Sequence, residues 1–126
     1  MPAFPWTSHG PIDPDRTYVV MASRLPLRRS RSVPGFLRDT LAIRRQLASA
    51  DGLVGYALDA NPSRRTFWTF SVWIDGDHLH AFATSDPHRQ IIARLRPLMA
   101  ETRFSTSTMT GSAVPSSWSQ RKALVS

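Results

Sequence analysis

The stretch at residues 66–74 reads TFWTFSVWI, and it decides how the rest of the sequence is interpreted. A strand with one face in water alternates apolar and polar residues, because successive side chains point to opposite faces of the sheet. Here one face would carry four apolar side chains, Trp68, Phe70, Val72 and Ile74. The opposite face would still carry Phe67 and Trp73. Both faces of this strand must therefore be covered.

The composition fits one domain with a substantial core. The chain has 126 residues and no cysteine, which excludes disulfides and thiolate metal sites. Its net charge is +7, carried by fifteen arginines and the single lysine Lys122. Such a charge is compatible with nucleic acid, an anionic surface or an acidic ligand. The sequence has no signal-peptide core and no membrane-spanning run, so we expect a soluble, cytoplasmic protein.

The predicted elements follow the order β-α-β-β-α-β. An irregular arm over residues 1–17, with Phe4 and Trp6 as anchors, precedes the domain at 18–112, and an arm or short helix over 113–126 follows it. Strand formers, helix caps and turn residues place strands at 18–25, 53–60, 65–75 and 102–111, and helices at 33–50, 75–83 and 85–97.

This order predicts an α+β fold of the ferredoxin-like type, with a four-stranded antiparallel sheet and the helices on one face. Such a sheet leaves its second face bare, and a bare apolar face favours association. We therefore expect two copies to pack sheet against sheet as a homodimeric α/β barrel. That arrangement would cover both faces of TFWTFSVWI.

Three segments carry a resemblance to a known family: GLVGY at 52–56, RRTFWTFSVWID at 64–75 and SDPHR at 85–89, with Phe82 in the helix between the last two. Together with the element order, they resemble the dimeric α/β-barrel superfamily. Within it the chain is similar to antibiotic-biosynthesis-monooxygenase-like proteins and to small bacterial proteins called spheroidene-monooxygenase-like. The resemblance implies a ligand between the sheet and the helices, and either no cofactor or haem.

Arg44 is a polar residue in an apolar place. Helical geometry puts it near the middle of the apolar arc of the first helix, one turn after Thr40, so both would point toward the sheet. A buried Arg needs a carboxylate, a carbonyl or an anionic ligand. Arg44 could anchor such a ligand, or it could reach solvent or pair with Asp59.

His88 lies on the buried stripe of a later helix, beside Ile91 and Ile92. An imidazole there could move a proton or ligate haem iron, and it could equally be a hydrogen-bonded core histidine. His78 and His80 cannot form a same-face pair at their spacing, so we expect no metal site.

Aromatic residues complete the predicted site. Trp68 and Trp73 point to opposite faces, so only one can stack on a ligand, and we assign Trp68 to the pocket. Tyr56 on the neighbouring strand could supply a phenol. The predicted catalytic residues are Arg44 and His88, and the predicted substrate-binding residues are Thr40, Tyr56, Trp68, Phe70 and Phe82.

Three functions are compatible with this sequence. The first is a monooxygenase-like enzyme acting on an apolar or aromatic small molecule. The second is a non-catalytic binding or scaffolding dimer that uses the same pocket. The third is a basic nucleic-acid-binding module built on Arg24, Arg28, Arg29 and Arg31; no RNA-binding signature or zinc spacing supports it.

Overall fold

The first eight residues of the stretch TFWTFSVWI form the central strand of the sheet. The computed structural model describes residues 4–126, which contain five strands: β1 (Phe4–Ser8), β2 (Thr17–Pro26), β3 (Leu53–Asn61), β4 (Thr66–Trp73) and β5 (Arg103–Thr110). They lie in the order β1-β3-β4-β2-β5, and every neighbouring pair is antiparallel. The predicted α+β class and the antiparallel sheet are therefore confirmed, and β4 has a strand on each side.

Four α-helices accompany the sheet: α1 (Val33–Leu47), α2 (Gly76–Ala83), α3 (His88–Leu95) and α4 (Trp118–Ala123). Pro34 stands in the first turn of α1. Asp75 caps α2, because its carboxylate accepts a hydrogen bond from the backbone nitrogen of His78 at 2.9 Å. After α1 the chain turns at Gly52, whose φ of +78° suits glycine.

The sheet has one strand more than the sequence predicted. The arm predicted to be irregular contributes β1, which pairs with β3, while residues 1–3 and the Phe4 side chain lie outside the described part. Trp6 packs against Phe70 with the ring centroids 6.2 Å apart. Gly55 makes room for this ring, since a Cβ atom there would lie 2.1 Å from Trp6 Cζ2. The signal for β1 is weak because the strand is short and contains Pro5.

One face of the sheet carries α1, α2 and α3. The side chains that meet this helical layer include Leu25, Tyr56, Phe67 and Trp73, all of them buried. Phe36 of α1 packs on Phe67 with the ring centroids 4.2 Å apart. Leu41 of α1 does not belong to this buried layer, since it is 48% exposed. The three helices therefore cover one of the two faces of β4.

The other face is covered by the same chain. Val125 and the partly buried Trp118 and Leu124, in and after α4, pack against a cluster that includes Val20, Phe70 and Val72. Lys122 Nζ lies 3.9 Å from the centroid of the Trp68 ring and 2.7 Å from Asp59 Oδ2. We expected a homodimer because a four-stranded sheet with helices on one face leaves its second face bare. Because α4 covers that face, the dimer remains a prediction without that support.

Candidate functional site

A mainly apolar cavity of about 330 Å³ lies between the helical layer and the sheet. We call it the sheet-helix cavity. Its volume is within the usual range for small-molecule sites. Its walls come from α1, α2 and α3 and from β2 to β5. The lining includes the apolar side chains Met21, Leu37, Ile43, Leu58, Leu79 and Ile92. Side chains of apolar type therefore supply most of the surface that a ligand would meet.

Six of the seven predicted site residues line this cavity: Thr40, Tyr56, Trp68, Phe70, Phe82 and His88. Arg44 is not a lining residue, and its Nε donates a hydrogen bond to the hydroxyl of Tyr56, which is one. Trp68 and Phe70 border the cavity along β4, but strand alternation points their side chains to the other face, where Lys122 and Arg121 lie over their rings. Trp73 lines the cavity as well as Trp68, and Trp73 is the tryptophan whose side chain packs on the helical side of β4.

His88 is the titratable group with the clearest role. Its Nδ1 is 3.0 Å from the carbonyl oxygen of Ala83, which can only accept, so Nδ1 carries the hydrogen. Nε2 of the neutral ring is then free to accept a proton. Burial lowers the pKa of His88 below its ordinary value of 6.5, and the bond to Ala83 only partly offsets this. The ring is therefore a neutral base at pH 7.

Two contacts fix the position of His88. Its ring lies beside Phe82 at a centroid distance of 5.1 Å, and Phe82 in turn packs on Trp73 at 5.4 Å. Gln46 of α1 accepts a hydrogen bond from the backbone nitrogen of His88 at 2.9 Å and donates one to the carbonyl of Phe82 at 3.2 Å. One amide therefore joins α1 to both α2 and α3. Gln46 was not among the predicted site residues.

Arg44 and Tyr56 form a second polar group. Arg44 Nε donates a hydrogen bond to the Tyr56 hydroxyl over 3.3 Å. The hydroxyl keeps its own hydrogen to donate to an oxygen atom of a ligand. Tyr56 itself is only 4% exposed. The predicted alternative partner of Arg44, Asp59, instead pairs with Lys122 on the other face.

Several other polar side chains in the cavity already have a hydrogen-bond partner within the protein. Asp39 is buried and accepts a hydrogen bond from Arg94 Nη2 at 2.6 Å. Ser71 Oγ accepts one from Trp73 Nε1 at 2.9 Å, and Ser23 is bonded to Thr69. His88 and Tyr56 are therefore the two groups best placed to act on a ligand.

The cavity lining does not fit haem well. His88 could serve as an axial ligand, but the described lining residues include no Arg or Lys to pair with the propionates, and they include the acid Asp39. Within residues 4–126 no group of three or more His, Asp or Glu side chains could hold a metal ion.

The basic segment after β2 is partly committed to the fold. Arg28, Arg29 and Arg31 are all exposed, but Arg28 Nε donates a hydrogen bond to the carbonyl of Met99 over 2.7 Å. No described helix is both long and apolar enough to cross a membrane.

Comparison with known proteins supports the fold and leaves the chemistry open. No protein-family model matches the chain, and no curated protein matches it. Among solved structures, a candidate antibiotic biosynthesis monooxygenase from Deinococcus radiodurans aligns with a TM-score of 0.65 at 16% identity, over 77% of this chain and 96% of that one. SnoaB, a cofactor-independent oxygenase from Streptomyces nogalater, aligns with a TM-score of 0.52 at 17% identity, over 74% and 91% of the two chains.

A third structure has a higher TM-score over only part of its length. It is a candidate monooxygenase from Fusobacterium nucleatum, with a TM-score of 0.70 at 12% identity over 86% of this chain. The alignment spans about half of that protein, 51%. The chain therefore has the fold of antibiotic-biosynthesis-monooxygenase-like proteins. The resemblance read from the sequence is confirmed at the level of the fold.

Proposed function

We propose that the chain binds an apolar, aromatic small molecule in the sheet-helix cavity and oxidises it with molecular oxygen, without a bound cofactor. The observation that carries this proposal is His88, a neutral base at the wall of a mainly apolar cavity. The fold shared with SnoaB, a cofactor-independent oxygenase, supports the same reaction class. Fold alone would not be sufficient, because one fold can carry many functions.

The chemistry requires a substrate whose C–H bond is acidic. His88 Nε2 would take the proton, and the resulting carbanion would reduce oxygen and form a peroxide at the same carbon. Loss of water from that peroxide leaves a carbonyl, so a CH₂ group and O₂ become C=O and H₂O. All four electrons come from the substrate. Tyr56 would donate a hydrogen bond to the substrate oxygen that gains negative charge when the proton leaves.

The test uses anthrone, a flat tricyclic ketone with an acidic CH₂ group. We expect oxygen consumption with one anthraquinone formed per O₂. His88→Gln should lower the rate about a hundredfold or more while anthrone still binds. The matched control is His80→Gln, which removes an exposed histidine outside the cavity lining.

A different outcome of the same test would favour a non-catalytic binding protein. Anthrone that binds in the cavity without oxygen consumption, and equally well to the His88→Gln variant, would contradict the enzymatic proposal. No binding at all would contradict both the enzyme and the small-molecule-binding alternatives.

The predicted homodimer belongs to this proposal as well. Its best remaining support is β5, an edge strand whose Phe104 is 64% exposed at the rim of the cavity. An exposed strand edge with an apolar side chain favours pairing with another copy. Sedimentation velocity of the purified chain and of a Phe104→Lys variant tests this. A monomer at all concentrations would contradict the dimer.

A further inference from the structure

A second cavity lies on the opposite face of the sheet, where α4 packs. It has a volume of about 400 Å³ and is lined by Trp6, Ile12, Pro14, Gly111, Val114, Pro115, Ser116 and Arg121. We call it the second-face cavity. Arg121 is the only charged residue in its described lining, and no acidic residue belongs to it.

Arg121 is buried to an unusual degree for an arginine. It is 8% exposed, and its Cζ atom lies 4.7 Å from the ring centroid of Phe70, 5.1 Å from that of Trp118 and 5.7 Å from that of Trp6. Aromatic faces stabilise the cation. They also hold the guanidinium in one orientation, which leaves its edge for hydrogen bonds in the plane.

The edge of this guanidinium is only partly used. Nε donates to the carbonyl of Pro115 over 3.3 Å, and the two Nη nitrogens have no acceptor within residues 4–126. Across the same residues no carboxylate lies within ion-pair distance of Arg121. Burial lowers the pKa of Arg121, yet an arginine stays charged at neutral pH. A buried cation without a counter-charge is costly, so an anion would stabilise it.

We propose that the second-face cavity binds a small aromatic carboxylate, with Arg121 as its anchor. The two Nη donors match the two oxygens of a planar carboxylate. Trp6 and the apolar side chains Ile12 and Val114 offer a surface for the ring. This site lies on the other side of the sheet from His88, so its ligand is separate from the molecule bound in the sheet-helix cavity.

Isothermal titration calorimetry of the full chain with 2-naphthoate tests the proposal. The matched control ligand is 2-naphthamide, which has the same ring system and no charge. We expect 2-naphthoate to bind at one site and 2-naphthamide to bind about tenfold more weakly or worse. Arg121→Met, which keeps an unbranched apolar stem, should weaken the binding of 2-naphthoate by a similar factor. It should leave the binding of 2-naphthamide unchanged. Equal binding of both ligands to the wild type would overturn the proposal.

A second variant keeps the test valid if Arg121→Met does not fold. Ser116 is exposed at the cavity, so Ser116→Trp should fold and fill the space while Arg121 remains. It should abolish 2-naphthoate binding. The control Ser119→Trp adds the same ring at an exposed position outside the lining and should bind normally.

The His88→Gln variant distinguishes the two cavities. It should bind 2-naphthoate like the wild type, whatever its effect on anthrone. Loss of 2-naphthoate binding in His88→Gln, or full binding in Ser116→Trp, would place the carboxylate elsewhere and overturn the proposal.

Discussion

Gln46 holds the backbone of His88 through a 2.9 Å hydrogen bond, although the two residues lie on different helices. The other end of the same amide holds the carbonyl of Phe82. Replacing Gln46 with Leu removes both bonds, so His88 should lose its fixed position. We expect anthrone oxidation to fall about ten- to hundredfold, because small displacements of a reacting group are costly.

The control for Gln46→Leu is Gln90→Leu. Gln90 is exposed on α3 and bonds only to Asp86. Gln90→Leu should leave the rate of anthrone oxidation unchanged. The NMR titration of the His88 ring gives a readout independent of activity, and an unaltered His88 titration in Gln46→Leu would contradict a positioning role for Gln46.

The lowered pKa of His88 predicts a pH dependence of stability. Below about pH 6.5 the unfolded chain binds a proton at His88 before the folded chain does, so the free energy of unfolding should fall as the pH drops from 6.5 toward the folded pKa. Above pH 6.5 the His88 ring is neutral in both states, so His88 no longer makes the free energy of unfolding depend on pH. Urea unfolding between pH 5 and 8, with His88→Gln for comparison, measures it.

Ser71 and Ser107 should respond in opposite ways to loss of the hydroxyl. Ser71→Ala removes the acceptor of Trp73 Nε1 and leaves a buried donor without a partner, which should cost about 1–3 kcal/mol. Ser107 Oγ is buried and has no hydrogen-bond partner among the described residues. Ser107→Ala should therefore be neutral or stabilising. Thermal and urea unfolding of the two variants give the comparison.

Gly55 and Gly35 should also respond in opposite ways, here to replacement by alanine. A Cβ atom at Gly55 would collide with Trp6, so Gly55→Ala must displace that ring and should cost about 1–3 kcal/mol. Gly35 lies in α1, where a Cβ atom meets nothing within 4 Å. Gly35→Ala should stabilise the protein by about 0.5–1 kcal/mol, since alanine favours the helix. A stable Gly55→Ala protein with unchanged Trp6 fluorescence would contradict the proposed contact.

Periodicity predicted the main fold because each element has enough residues to show its pattern. The strand-forming residues of β2 and β4 and the apolar arc of α1 are of this kind, and so are the positions of Thr40, Tyr56, Phe82 and His88. The sequence could not show which face of β4 the three main helices cover. That choice depends on pairing between distant segments, which is why Trp73 was not identified as a lining residue.

β1 was beyond the same method for a different reason, because it has only five residues and is held by pairing with β3 rather than by its own pattern. A short helix within residues 113–126 was one of the two predicted alternatives, and α4 lies there, but its packing on the second face of the sheet could not be predicted from its six residues. Gln46 was missed because one polar side chain on a helix does not reveal which partners it will meet across α2 and α3.

The coverage of the second sheet face by α4 also bears on the thermodynamics of the chain. A fold that relies on a partner to bury its sheet gains stability with protein concentration, because association shifts the unfolding equilibrium by mass action. In this chain Val20, Phe70 and Val72 are buried by residues of the same molecule. Dilution should therefore leave the burial of this part of the core intact.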